Sequence, residues 1–126
     1  MCIRDRLRTV LRENAAFSML SGTVLAVGSA ALDDWIGLHW WILAPLGIGL
    51  MAFAAAVWFG AGRAELLRPT AQLAIAGDLG WIVGAVVIVV ATDWLTRNGE
   101  VALLAVTALV ACFAIGQAIG LRRLDA

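Results

Sequence analysis

The chain contains no lysine, and all nine of its basic residues are arginine. Charge of either sign is scarce: Asp, Glu and Arg make up 14% of the residues, against roughly 25% in soluble domains. Nine acids balance the nine arginines, so no surplus of positive charge points to nucleic acid and none points to an acidic substrate. Only two cysteines occur, Cys2 near the N-terminus and Cys112 in the last apolar run, with no CxxC and no histidine nearby. That spacing argues against both a disulfide framework and a metal site. The chain also lacks a paired nucleophile and base, metal-ligand spacing and a cofactor motif, so the expectation is a protein that is not an enzyme and uses no cofactor. The glycines of 77–84 do not form a phosphate loop, because GxGxxG spacing and a strand-turn-helix context are both missing.

What is present is apolar. Of the 126 residues, 63% are hydrophobic, against roughly 45–50% in soluble domains, and the length allows one domain. Crossing a hydrocarbon core of about 30 Å takes about 20 apolar residues, and four windows meet that length: 15–32, 42–61, 70–92 and 101–121. The first, second and fourth contain no charged residue, and the third contains only Asp78. A backbone in lipid must satisfy its own hydrogen bonds, and these runs are too long and too uniformly apolar for barrel strands. Four helices are therefore expected, with residues 1–14 as a cytoplasmic tail.

The arginines set the orientation. Arg4, Arg6, Arg8 and Arg12 precede the first span, Arg63 and Arg68 separate the second from the third, and Arg122 and Arg123 follow the fourth. Only Arg97 lies on the other side, so the positive-inside rule places both termini and the 62–69 loop in the cytoplasm. Trp35, Trp40, Trp41 and Trp94 gather at the opposite ends of the spans, as interfacial aromatics do. His39 lies among them and reads as a solvated loop residue. Pro45 and Pro69 fall near span starts, where a missing backbone donor does least harm, and Thr70 is a candidate cap for the third span. Short connections at 33–41, 62–69 and 93–100 make neighbouring helices antiparallel. The expected fold class is all-α: an up-down-up-down transmembrane four-helix bundle with both termini cytoplasmic.

Three alternatives bear on this frame. Residues match at an offset of 59, pairing Asp34-Trp35 with Asp93-Trp94, Arg63 with Arg122 and Ala26-Val27 with Ala85-Val86. Two equivalent hairpins would produce this pattern, and so would the shared chemistry of any two membrane hairpins. Arginines ahead of an apolar run ending Val27-Gly28-Ser29-Ala30-Ala31 also match a secretory signal, although 15–32 is long for a signal core of about 7–15 residues. Residues 1–6 have the look of translated adapter sequence, in which case the native start differs. The all-arginine composition, rich in Ala, Gly and Val, suggests a GC-rich bacterial genome.

Asp78 is the one acid inside a span. It lies eight residues past Thr70, about 12 Å into the membrane on the cytoplasmic side. An ionised side chain at mid-membrane costs about 2.5–3.5 kcal/mol, so Asp78 must face the interior and find donors or become protonated. Trp81 follows at i+3, where its indole N–H could reach the carboxyl group. Asn14, Ser18 and Ser21 recur at i, i+4, i+7 along the first span, and Gln117 lies near the cytoplasmic end of the fourth. A polar pocket of Asp78, Asn14, Ser18, Ser21, Gln117 and Trp81 is one expectation. The other is plain helix packing, with polar contacts worth about 0.6 kcal/mol each and with Gly77, Gly80, Gly84, Gly116 and Gly120 allowing close approach.

Residues 14–22, Asn-Ala-Ala-Phe-Ser-Met-Leu-Ser-Gly, with four short spans and an Asp-Trp outer turn, resemble small uncharacterised four-span membrane proteins of bacteria. That resemblance covers most of the chain and implies no catalytic residues. Small multidrug transporters also have four short spans, but their acidic residue is in the first, which here has none. The expected function is therefore that of an accessory, interaction or structural protein of the bacterial cytoplasmic membrane. Its expected partners are the lipid bilayer and copies of itself or a larger membrane complex, not nucleic acid. The alternative is a proton-linked transporter of ions or small molecules using Asp78.

Overall fold

A computed structural model describes residues 3–125 and is helical almost throughout, with no strand among the described residues. Helix α1 spans Ile3–Val27, α2 Ser29–Ile36, α3 Trp40–Ala61, α4 Leu67–Ala91 and α5 Arg97–Asp125, with one 3₁₀ turn at Ala64–Leu66 before α4. Three stretches, Trp40–Ala61, Ala64–Ala91 and Arg97–Leu124, are long and apolar enough to cross a membrane. They coincide with the second, third and fourth apolar windows. Large apolar side chains such as Phe59, Val90 and Ile115 lie exposed along them, the pattern of helices whose outer faces meet lipid.

The first window behaves differently. Helix starts at Ile3 rather than near residue 15, so the expected tail is helical over the described residues and takes part in packing. Leu7 and Leu11 are almost completely buried, and Asn14 and Ser18 continue the same helical face at i+3 and i+4 spacing. At Gly28 the apolar run then turns through 94°, so α1 and α2 together make at most one bent span. The absence of a side chain permits this turn, since a Cβ on Gly28 would lie 2.8 Å from the Val24 carbonyl oxygen. The offset-59 counterpart of Gly28 is Val87, inside the unbroken α4, so the two hairpins do not share one shape.

α1 packs against α3, α4 and α5, and α4 against α3 and α5. Its closest approach is to α3, where a Cβ on Gly22 would lie 2.5 Å from the Gly47 carbonyl oxygen and one on Gly47 the same distance from that of Gly22. The two backbones touch directly, as small residues at membrane helix crossings allow. At the far end of α3, Gly60 leaves room for the Thr70 side chain. Thr70 is thus a packing residue within α4 and not its cap, because the helix already starts at Leu67. Pro69, third in α4, removes a donor the helix does not need, whereas Pro45 falls in the second turn of α3, further in than the sequence implied.

At the Trp-rich end, α2 stops at Gly37, whose φ of +100° suits glycine and whose N–H donates to the Asp33 carbonyl. Thr96 ties this turn to α5: its N–H donates to the Ile36 carbonyl at 2.9 Å and its hydroxyl to the Trp35 carbonyl. The same hydroxyl accepts the Gly99 N–H at 3.0 Å, an N-cap for α5. His39 is exposed here, its ring stacked on Trp41 with centroids 6.2 Å apart. At the opposite end Arg8 Nε donates to the Ala61 carbonyl at 2.7 Å, a cation on the C-terminus of α3 where the helix dipole favours it.

Candidate functional site

Three helices bring one side chain each to a common point: Asn14 from α1, Asp78 from α4 and Gln117 from α5, all buried. Asn14 Nδ2 donates to Asp78 Oδ2 at 3.0 Å, with a longer arm of 3.3 Å to Oδ1, and to Gln117 Oε1 at 2.8 Å. Gln117 Nε2 closes the ring by donating to Asp78 Oδ2 at 2.8 Å. Ser18, one turn above Asn14, donates to Asn14 Oδ1 at 3.4 Å and so steadies the amide. Each amide turns its nitrogen to an acceptor and its oxygen to a donor.

The acid therefore finds neutral donors, as its cost in an apolar surrounding demands. The two oxygens are served unequally, for Oδ2 takes two good bonds and Oδ1 only the long arm. Arg12, two residues before Asn14, turns elsewhere: its guanidinium carbon lies 4.9 Å from the centre of the Trp58 ring, a cation–π contact.

A cavity of about 200 Å³ adjoins this ring, and Ser18, Ser21, Asp78 and Trp81 all line it. Phe17, Leu50, Phe53, Val106 and Val110 make up most of the remaining wall. All six expected pocket residues are thus brought to one place, but not in one role. Asp78, Asn14, Gln117 and Ser18 form the hydrogen-bonded ring, whereas Ser21 lines the cavity only. Trp81 does not reach the carboxyl group, and its indole Nε1 is buried with no hydrogen-bond partner. A second, apolar cavity of about 370 Å³ under α2 shares Ser21, Trp81 and Val106 with the first.

The glycines divide in a similar way. Gly77 meets the Phe53 ring, Gly120 meets Leu7, and Gly116 makes ordinary contact with Val10. Gly80 and Gly84 face open space, so they bring no helices together within this chain. The close backbone contact between α1 and α3, at Gly22 and Gly47, is invisible to a search for glycines spaced four apart on one helix, because it pairs single glycines on two helices. Phe17 and Phe53 escaped notice because aromatic residues in a membrane span normally signal lipid contact or core. Among the described residues no three His, Cys, Asp or Glu side chains come together, so the site offers one carboxyl group, two amides, two hydroxyls and an indole. No family model, curated protein or solved structure matches this chain.

Proposed function

We propose that the chain is a non-enzymatic, multi-pass protein of the bacterial cytoplasmic membrane, a four-span bundle with cytoplasmic termini, acting as an accessory or structural subunit. In this reading the ring around Asp78 specifies how its helices pack. The observation that carries it is the single carboxyl group holding donors from two other helices, Asn14 on α1 and Gln117 on α5. Membrane hydrogen bonds average about 0.6 kcal/mol each, so their value here lies in register: any sliding of α1, α4 or α5 would strand a buried acid. Arginines concentrated at one end and tryptophans at the other support the orientation.

Proton-linked transport is the second reading, favoured by the cavity beside Asp78. Substitutions of Asp78 separate the two. For a packing role, Asp78→Asn keeps the thermal unfolding of the detergent-solubilised protein close to wild type. Asp78→Leu, which leaves two amide donors facing a methyl group, lowers stability by about 1–3 kcal/mol. An Asp78→Leu protein as stable as wild type overturns that role. Transport instead requires that Asp78→Asn fold normally yet lose proton-driven flux in liposomes, and flux persisting in that variant excludes it.

A further inference from the structure

A groove of about 540 Å³ runs between α1 and α3 and shares no residue with the Asp78 ring or the cavity beside it. Its α1 wall includes Ala16, Met19 and Thr23, and its α3 wall includes Ala55, Trp58 and Phe59. Met19, Trp58 and Phe59 are exposed, so the groove opens on the outer face of the bundle. The Thr23 hydroxyl already donates to the Met19 carbonyl at 2.7 Å, which leaves the walls apolar apart from the Trp58 indole.

Arg12 stands at one end of this groove. On α1 it precedes Ala16, Met19 and Thr23 by four, seven and eleven residues, the spacing of a single helical face. Toward the other wall, its guanidinium carbon lies 4.9 Å from the centre of the Trp58 ring. A Cβ on Gly62, one turn past Trp58, would lie 3.0 Å from Arg12 Nη2. The side chain thus bridges both walls where α3 stops. Of its nitrogens only Nε is shut in, and the accessible terminal pair has no hydrogen-bond or ion-pair partner among the described residues. Arg8, one turn earlier, is already held by the Ala61 carbonyl and by Asp5, while the exposed Glu13 and Glu65 form no ion pair with Arg12.

One cation at the end of an apolar groove calls for an amphiphile with an anionic head. A soluble anion leaves the walls uncovered, a plain hydrocarbon leaves Arg12 unpaired, and a zwitterionic head cancels most of the charge that Arg12 would meet. Length agrees: from Arg12 to Thr23 the helix rises about 16 Å, roughly half of a 30 Å hydrocarbon core and so the depth of one leaflet. Basic sites between membrane helices hold acidic headgroups in the same way. We propose that this groove binds one anionic phospholipid, its phosphate on the Arg12 guanidinium and an acyl chain laid between Ala16 and Phe59. The inference rests on the membrane-spanning reading proposed above.

The test is native mass spectrometry of the full-length protein, taken from dodecyl maltoside micelles supplied with dioleoyl phosphatidylglycerol or dioleoyl phosphatidylcholine. One phosphatidylglycerol per chain should be retained about fivefold better than phosphatidylcholine, the worth of one arginine beside an acidic headgroup. Arg12→Gln should erase that preference and Arg12→Lys keep most of it. Arg122→Gln, the same loss of charge at the end of α5, should leave it unchanged. Ala16→Phe, at an exposed position, should block the groove and lower retention of phosphatidylglycerol to that of phosphatidylcholine. Equal retention of the two lipids by wild type overturns the inference, as does a preference that survives Arg12→Gln or falls equally in Arg122→Gln. Should Arg12→Gln unfold, equal phosphatidylglycerol retention by wild type and Ala16→Phe still overturns it. Displacement by inorganic phosphate assigns the site to a free anion, and a wild-type dimer that Ala16→Phe splits without changing lipid retention assigns the groove to a second copy; either overturns it. A chain that alkaline carbonate strips from membranes fails the membrane reading and this inference together, whereas one retained there that binds both lipids equally fails this inference alone. No variant alters Asp78, Asn14 or Gln117, so the packing role is tested separately.

Discussion

Asn14 takes part in every hydrogen bond of the buried ring except the one from Gln117 to Asp78. Its amide supplies both protons that join α1 to the other two helices. Asn14→Leu fits the volume but leaves Gln117 Oε1 without a donor and Asp78 with one amide, at a cost of about 1–3 kcal/mol for the stranded groups. Ser18→Ala removes only a 3.4 Å bond and should cost well under about 1 kcal/mol. Unfolding in mixed micelles, followed by helicity, measures both, and equal losses would contradict the hierarchy. The stripe Asn14, Ser18, Ser21 was legible from its spacing, as was the isolation of Asp78. The division of labour was not, because spacing places side chains on a face without deciding which hydrogen of which amide meets which oxygen. Trp81 shows the limit: at i+3 from Asp78 it shares the face, yet its indole N–H is buried without a hydrogen-bond partner.

At the scale of the helix, close packing depends on glycines whose neighbours lie on another helix. Gly22 and Gly47 each leave no space for a methyl group against the other's backbone, and neither backbone can yield as a side chain would. Gly22→Val or Gly47→Val should therefore destabilise the α1–α3 contact by about 1–3 kcal/mol or more, measured by the same unfolding assay. Gly80→Ala and Gly84→Ala meet open space and should raise stability by up to about 1 kcal/mol through helix propensity alone. A reversed order would show that this α1–α3 crossing is misplaced. In sequence the two sets look alike, and Gly77, Gly80 and Gly84 even have the more suggestive spacing. The bend at Gly28 was hidden for a related reason: hydropathy summed over 15–32 records that the run is apolar and carries no information about its direction.

For the whole molecule, the charge asymmetry and the geometry meet in a topology that labelling can test. With both native cysteines replaced by serine, Asn98→Cys should react with an impermeant maleimide in intact cells and Glu65→Cys only after lysis. The reverse pattern would invert the proposed orientation. Composition alone determined that the chain is helical and apolar, since 63% hydrophobic residues in runs of about 20 leave a backbone in lipid no other way to satisfy its hydrogen bonds. It also determined that Asp78 needed partners, because an acid in such a run is costly wherever the helix lies. Tertiary structure decided which partners it found, that Leu7 and Leu11 from an apparently polar tail join the core, and that the first apolar run bends through 94°. Those outcomes depend on surfaces that exist only once α3, α4 and α5 stand beside α1. Burial, direction and hydrogen-bond pairing are properties of neighbouring helices, and a hydropathy pattern describes one helix at a time.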